Sequence, residues 1–299
     1  MIETTNYYRW RKFKNRFFQF LLIMAAIAVL TPILLIVQYT FVKGAGSLNL
    51  DFFTNLPKPV GEVGGGMRHA ILGTLYLVAI GAAIAVPIGI MAGIYLAEFD
   101  KKSALSRILS FAIDLLTGVP SIIVGIFAYI LLVVPMKSFN AMAGGVALSI
   151  IILPIVTRAT EEILKLVPDH IREAGLALGI PRWKVIFMIV VPGSFKGIFT
   201  GVMLAISRAA GETAPLLFTA FGNMYMSYRI DQPMASLPVQ IYNYAISPFE
   251  DWQRQAWGGA FVLIIIVLGI NLTSRAIINR NELINFFSEL KKKLNSKKA

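Results

Sequence analysis

The chain has 299 residues, of which 57% are hydrophobic and only 15% charged, and its mean hydropathy is +0.70. Soluble domains carry about 25% charged residues, so this composition excludes an ordinary soluble protein and places the chain in a bilayer. The 28 Lys and Arg against 16 Asp and Glu give a net charge of +12, which membrane orientation and anionic lipid explain without nucleic acid. With no cysteine and two histidines, disulfides, thiolate ligands and a histidine metal cluster are excluded.

Six apolar stretches are long enough to cross a bilayer, since a transmembrane helix needs about 20 predominantly apolar residues. We therefore predict an all-α integral membrane protein with six transmembrane helices, at 20–42, 70–97, 108–135, 141–157, 197–222 and 256–274. Residues 1–19 and 280–299 are basic and are predicted as terminal tails, with 43–69 as an extracytoplasmic loop. The first stretch is longer than the apolar core of a signal peptide, which favours a retained helix.

Lys and Arg residues concentrate on one side of these spans. Most of them lie in the two tails, the 98–107 loop and the 158–196 segment, which six spans place on the same side. Cytoplasmic segments of membrane proteins carry the excess of Lys and Arg. We therefore predict a multi-pass protein of the cell (inner or plasma) membrane with both termini in the cytoplasm.

The segment between the fourth and fifth predicted spans has the start and stop signals of two short helices. Pro168 stops an extension of the fourth span, and Asp169 can cap the next helix. Gly179 suits the left-handed position after that helix, and Pro181 suits the first turn of a second helix that ends at Pro192. Such a pair of helices fits either the groove of another protein or the lipid surface.

An arginine and a glutamate lie inside the fifth predicted span. A lone Arg at the centre of a membrane helix costs about 2.5–3.5 kcal/mol, so we expect Arg208 to be paired and to face protein or water. Glu212 follows at i+4, on the same face of a continuous helix. Because the guanidinium fork matches phosphate oxygens, the pair fits an anion path in which the anion displaces Glu212. It also fits a structural pair that holds this helix against another subunit.

Other residues in the predicted spans favour structural roles. Asp114 lies near the inner end of the third span, where capping or snorkelling is expected, and Pro120 can kink the same span. Three glycines of the second span favour close helix packing over a ligand site, namely Gly81, Gly89 and Gly93.

One motif has a fixed spacing: Glu173-Ala174-Gly175, three residues, Gly179, nine residues, then Ile189-Val190-Val191-Pro192. It resembles the cytoplasmic EAA loop of ATP-binding-cassette importer permeases, with Gly175 in place of the second Ala and Val191 in place of Leu. The resemblance implies a type I importer permease fold over 70–279, with a cytoplasmic coupling helix in the loop 169–192. It also implies which residues contact or shape the joint with a separate ATPase: Glu173, Ala174, Gly175, Gly179 and Pro192.

Two further segments, 115–125 and 207–215, are similar to the phosphate-specific transporter permeases, and 236–242 is similar to their PstA type rather than to their PstC type. This resemblance implies a permease subunit of an ATP-driven importer of inorganic phosphate, forming half of the transmembrane path. The path residues are then Ser207, Arg208, Glu212 and Thr213.

The same resemblance implies a PstC-type permease as heterodimer partner, two PstB-type ATPase subunits and an external PstS-type phosphate-binding protein. The ATPase would use ATP and Mg²⁺, since the chain has no G-x-x-x-x-G-K-[ST] motif, and we expect no cofactor, metal or nucleic acid on this chain and no enzymatic activity. The residues leave alternatives open: a permease for molybdate, sulfate or phosphonate, an ion-coupled secondary transporter, or a structural subunit without substrate contact.

Overall fold

The computed structural model describes residues 6–59, 62, 64–99 and 103–278, and these residues form helices and connections without a strand. The predicted tail 280–299 and the first five residues lie outside the described residues. The helices in chain order are α1 (Asn6–Ala45), α2 (Leu50–Thr54), α3 (Arg68–Glu98), α4 (Ala104–Gly118), α5 (Ser121–Ala128), α6 (Val134–Met136), α7 (Ala141–Lys165), α8 (Asp169–Ala177), α9 (Arg182–Val185), α10 (Val191–Gly193), α11 (Phe195–Ala209), α12 (Ala214–Thr219), α13 (Leu237–Ala245) and α14 (Glu250–Ile278).

Four helices, α1, α3, α7 and α14, are long and apolar enough to cross a membrane. Two bent pairs pass the same test together: α4 with α5–α6 at 106°, and α9–α10 with α11 at 70°. By length and composition, the described residues therefore contain four candidate membrane spans, or up to six if each bent pair is one span. Residues 6–19 were predicted as a tail and form the first part of α1. We call the end of the bundle that holds α8–α10 the inner end, and the opposite end the outer end, after the predicted orientation.

The third and fifth predicted spans are wrong as continuous helices. The third, 108–135, turns by 106° at Pro120, so the predicted kink is a change of direction. The fifth, 197–222, stops at Ala209 and resumes as α12, with Pro215 in its first turn. Proline disfavours helix at the residue before it, and Val119 before Pro120 is extended, which explains the end of α4. Pro215 cannot donate a backbone hydrogen bond and fits the first turn of α12, where none is needed.

The centre of the bundle is the close packing of α3 on α7. A Cβ atom added to Gly93 would lie 2.6 Å from the Cβ of Thr160, and one added to Gly89 would lie 2.9 Å from a methyl of Val156. Gly81 meets α7 in the same way. Glycine at these positions lets the two backbones approach, so the predicted packing role is confirmed.

Two π-helical turns, Tyr129–Val133 and Ile186–Val190, each come just before a proline. The N–H of the residue before each proline donates five residues back, from Val134 to Tyr129 and from Val191 to Ile186. Since proline removes the next i−4 bond and its ring clashes with that carbonyl, the wider turn accommodates it.

The outer end contains two helices that the sequence analysis left as loops. In 43–69, α2 places the Phe52 side chain, 1% exposed, against the bundle. In 223–255, α13 is attached to α3, because the Leu237 N–H donates to the Thr74 hydroxyl over 2.7 Å. Both loops are therefore partly built into the outer end of the helix bundle.

Candidate functional site

The two chain breaks meet around one cavity. Gly125 of α5 packs so closely on α12 that an added Cβ would lie 2.8 Å from the Cα of Pro215. This contact brings the bend before α5 next to the break after α11. The cavity between them has a volume of about 170 Å³ and is lined by residues of α4, α5, α7 and the α11–α12 connection: Leu116, Thr117, Val119, Pro120, Ser121, Val124, Ile151, Pro154, Ile155, Arg208 and Glu212.

Arg208 is in the last turn of α11, and its side chain is 61% exposed. Glu212 lies beyond the end of this helix, so its predicted place on the same helical face is wrong. A turn, closed by the hydrogen bond from the Glu212 N–H to the Ala209 carbonyl, still returns the carboxylate towards the guanidinium. Nε of Arg208 and Oε1 of Glu212 are 3.9 Å apart, so the two residues form a loose ion pair.

The other two predicted path residues do not line this cavity. Ser207 is 4% exposed and faces the interior of the bundle, where its hydroxyl has no hydrogen-bond partner among the described residues. Thr213 is half-buried and precedes the first residue of α12. The structure thus brings Arg208 and Glu212 together and leaves Ser207 and Thr213 outside the cavity.

A second arginine lies one helical turn further towards the inner end. Arg158 of α7 follows Ile155, which lines the cavity, by three residues. Its guanidinium donates to Oδ1 of Asp114 and to Oε2 of Glu161, each over 2.5 Å. It also donates to the Ser110 hydroxyl at 2.8 Å. Asp114, predicted to cap or snorkel, therefore pairs with a basic residue that sequence reasoning placed outside the membrane span.

The predicted pair of short helices is confirmed: the first is α8, and the second consists of α9, the π-helical turn Ile186–Val190 and α10. Gly179 between them has a φ of +74°, the left-handed conformation predicted for it. Pro168, not Asp169, precedes the first residue of α8, and Asp169 makes no capping hydrogen bond. Pro181 likewise lies just before α9. The element ends at Gly193, directly after Pro192, as predicted.

This pair of helices presents one face to the outside and packs the other inward. Glu173 and Ala174 are exposed, and the Trp183 side chain is 57% exposed. Gly175 is buried, and an added Cβ there would lie 2.9 Å from a methyl of Val185. Of the five residues predicted at an ATPase joint, four are thus exposed, Glu173, Ala174, Gly179 and Pro192, and the buried Gly175 allows α8 and α9 to pack.

A buried carboxylate at the end of α3 holds α8, and the sequence analysis missed it. The Glu98 side chain is 3% exposed and receives hydrogen bonds from Nη2 of Arg172 at 2.6 Å and from Nε at 3.0 Å. These bonds raise the pKa of the Arg172 guanidinium above its usual value. Arg182 also donates to the backbone carbonyl of Glu98. The available signal was an acid at the end of an apolar span with basic residues on the same side.

The described part of the chain contains no group of three His, Cys, Asp or Glu side chains arranged to hold a metal ion. The polar groups brought together are arginines with acidic partners, not metal ligands. Arginines of this kind bind anions or other side chains.

Comparison with known proteins identifies the family. The model of the family described as binding-protein-dependent transport system inner membrane component matches residues 85–282. The chain is 43% identical over 273 residues to the phosphate transport system permease protein PstA of Yersinia pestis, covering 91% of this chain and 92% of that protein. It is 42% identical over 266 residues to PstA of Haemophilus influenzae, covering 89% of this chain and 94% of that protein.

A solved structure of a bacterial alginate ABC transporter shares the fold. It aligns with a TM-score of 0.61 at 15% sequence identity, covering 90% of this chain and 98% of that one. At this identity the likeness concerns the fold alone, and it agrees with the predicted importer permease fold. The chain belongs to the family of binding-protein-dependent transport system inner membrane components and, within it, to the PstA permease proteins of phosphate transport systems.

Proposed function

We propose that this chain is a permease subunit of an ATP-driven importer of inorganic phosphate and forms half of its transmembrane path. The PstA relatives are named as phosphate transport permeases, and the family model covers about two thirds of the chain. The observation that supports a path through this chain is the cavity at the two chain breaks, whose lining includes one arginine, Arg208, and one acid, Glu212.

The cavity has the chemistry of an anion site. Guanidinium forms two parallel hydrogen bonds with phosphate oxygens, and Arg208 lines the cavity with a largely exposed side chain. Ser121 begins α5 and also lines it. The first N–H groups of a helix have no partner within the helix and favour negative charge. Interrupted membrane helices form substrate sites in this way in other transporters.

The loose pair suggests how phosphate would pass. Glu212 neutralises Arg208 when the path is empty, because a charge inside the membrane needs a partner. Phosphate then displaces the carboxylate from the guanidinium, and Glu212 takes Arg208 back when the anion leaves. Arg158, one turn further inward on α7, is the next cation along this face.

Energy for import comes from separate subunits in this proposal. The chain pairs with a PstC-type permease, two PstB-type ATPase subunits use ATP and Mg²⁺, and a PstS-type protein delivers phosphate from outside. Glu173 and Ala174 on the exposed side of α8 contact the ATPase on the cytoplasmic side, where both chain termini also lie. This chain binds no cofactor and catalyses no reaction of its own.

The test is purification of the tagged chain from membranes, identification of its companions and reconstitution in proteoliposomes. We expect a second permease and an ATPase to copurify, and labelled phosphate to enter only with ATP and the external binding protein. Molybdate, sulfate and phosphonate are added in excess as competitors. ATP-dependent import of labelled molybdate, sulfate or phosphonate, without import of labelled phosphate, would assign another oxyanion. Uptake by the purified chain alone, driven by an ion gradient, would identify a secondary transporter.

A further inference from the structure

The inner end of the molecule has a junction at which three helices meet on one arginine. Arg172 of α8 donates to the Glu98 carboxylate of α3, and it also donates to the Leu164 carbonyl at 2.9 Å and to the Val167 carbonyl at 2.6 Å. The Leu164 carbonyl is in the last turn of α7, and the Val167 carbonyl lies two residues beyond its end. One guanidinium therefore holds α8 against the ends of both α3 and α7.

Glu98 is the buried acid of this junction. Its side chain is 3% exposed, whereas Asp169, which also contacts Arg172, is 91% exposed. Burial of a charge costs free energy unless the charge is paired and hydrogen-bonded, so Glu98 requires Arg172 in place. This ion pair ties α8 to α3.

The second half of the two-helix element is tied to the same residue. Arg182, the first residue of α9, donates to the Glu98 carbonyl, which is one of the carbonyls left without a partner at the end of α3. The Cζ atom of Arg182 also lies 5.8 Å from the centre of the Phe99 ring. Both short helices are thus fastened to the last turn of α3 by two independent arginines.

We infer that Glu98 is the positioning residue through which motion of α8 and α9 is transmitted to the membrane helices. This inference rests on the proposed function, in which an ATPase moves these two helices. A displacement of α8 pulls the end of α3, and α3 is packed along α7 without space between the backbones. Residues Ile151, Pro154 and Ile155 of α7 line the Arg208 cavity. The cavity therefore changes shape when the junction moves.

The experiment compares Glu98→Gln with wild type in the complete transporter, reconstituted in proteoliposomes with the external binding protein. Gln keeps the shape of the side chain but removes the negative charge that pairs with Arg172. We measure ATP hydrolysed per phosphate imported, a ratio that a merely structural role would not change in assembled complexes. We expect this ratio to rise by about tenfold, because a broken buried ion pair loosens the junction.

Two further variants make the result decisive. Glu162→Gln removes an exposed acid near the same end of α7 and should leave the ratio as in wild type. Arg172→Lys keeps the positive charge but loses the fork that reaches Glu98 and the two carbonyls, and it should raise the ratio as Glu98→Gln does. It also serves as the test if Glu98→Gln fails to assemble.

The outcomes separate this inference from the proposed function. If the wild-type complex imports no phosphate with ATP, the proposed function fails. If it does, and both junction variants assemble with an unchanged ratio, the inference is overturned. Failure of both variants to assemble with the ATPase would make the junction purely structural and would also overturn it.

Discussion

Two ion pairs in this chain consist of the same two residue types, an arginine and a glutamate, but differ in distance and in exposure. In the middle of the bundle, Arg208 and Glu212 are 3.9 Å apart, and the arginine is 61% exposed. At the inner end, Arg172 and Glu98 are 2.6 Å apart, and the glutamate is 3% exposed. The first pair is at the limit of an ion pair, and the second is a charge-assisted hydrogen bond.

The difference follows from the length of each pair and from the exposure of its arginine, because the Glu212 side chain is itself only 16% exposed. A long pair with a largely exposed arginine stabilises a protein by about 0–1 kcal/mol, so an incoming anion can replace Glu212 at little cost. Removal of one partner of a buried pair costs about 3–5 kcal/mol, so Arg172 does not exchange its partner. A weak ion pair allows an arginine to exchange its carboxylate for an incoming anion. A strong, buried ion pair keeps two helices attached to each other. The predictions below test this division.

The largest effect is expected when the loose pair loses its cation. Arg208→Gln should lower phosphate uptake by at least about 100-fold, because two charge-assisted hydrogen bonds to phosphate are lost. The exposed side chain and its weak pair imply that the complex still assembles and hydrolyses ATP. Uptake of labelled phosphate and copurification of the ATPase measure both, with Arg275→Gln, an exposed arginine of α14, as control. Normal uptake by Arg208→Gln would remove this cavity from the path.

A smaller effect is expected when the same pair loses its acid. Without Glu212, Arg208 keeps phosphate longer, so Glu212→Gln should lower both KM and the maximal rate of uptake. Each constant is expected to fall by about two- to fivefold, which corresponds to the free energy of a weak ion pair. Initial rates over a range of phosphate concentrations measure both constants. A maximal rate equal to that of wild type would mean that Glu212 does not compete with the anion.

Arg158 gives an intermediate case, because it has one exposed and one buried acid as partners. The Asp114 side chain is 63% exposed and that of Glu161 is 6% exposed. Arg158→Gln should destabilise the chain by about 1–3 kcal/mol, since the buried Glu161 then keeps only Lys165 as a partner. Asp114→Asn should cost about 0–1 kcal/mol. Thermal unfolding in detergent compares the two, and equal losses would show that burial does not separate strong from weak pairs here.

The long helices and the short helices at the inner end were predictable from the sequence, whereas the helix breaks at the cavity and the partners of each helix were not. Apolar length locates the long helices, and Gly179 with Pro192 bounds the short ones. These signals are local. The contact between Glu98 and Arg172 joins residues 74 positions apart, and no helical period contains it. Periodicity describes which face of a helix is apolar, but not which other helix covers it.

The cavity shows the same limit in another form. Pro120 correctly predicted a kink, but its angle of 106° depends on how α5 packs on α12. The stop of α11 at Ala209 had a weaker signal, Gly211 followed by Pro215, within a run that is apolar throughout. The prediction of Arg208 and Glu212 on one helical face failed for this reason. Their proximity was still correct, because a tight turn brings the glutamate back.

The smallest expected effect is on stability and concerns the packing of α8 on α9. Whether Gly175→Ala stabilises or destabilises the chain is predicted to depend on Val185. Gly175→Ala adds a methyl group 2.9 Å from Val185, which is 2% exposed and stiff at its branched Cβ. Overpacking of this kind lowers the free energy of unfolding by about 1–3 kcal/mol, and the higher helix propensity of Ala offsets about 1 kcal/mol of this loss. The single variant should thus be slightly less stable than wild type.

In a Val185→Ala background the added methyl group has room, and only the gain in helix propensity remains. Gly175→Ala should there stabilise the chain by up to about 1 kcal/mol, the reverse of its effect alone. Thermal unfolding of the four chains of this double-mutant cycle measures the coupling. Equal effects of Gly175→Ala in both backgrounds would contradict the close contact between α8 and α9. A change of sign would show that the Val185 side chain is what requires a glycine at position 175.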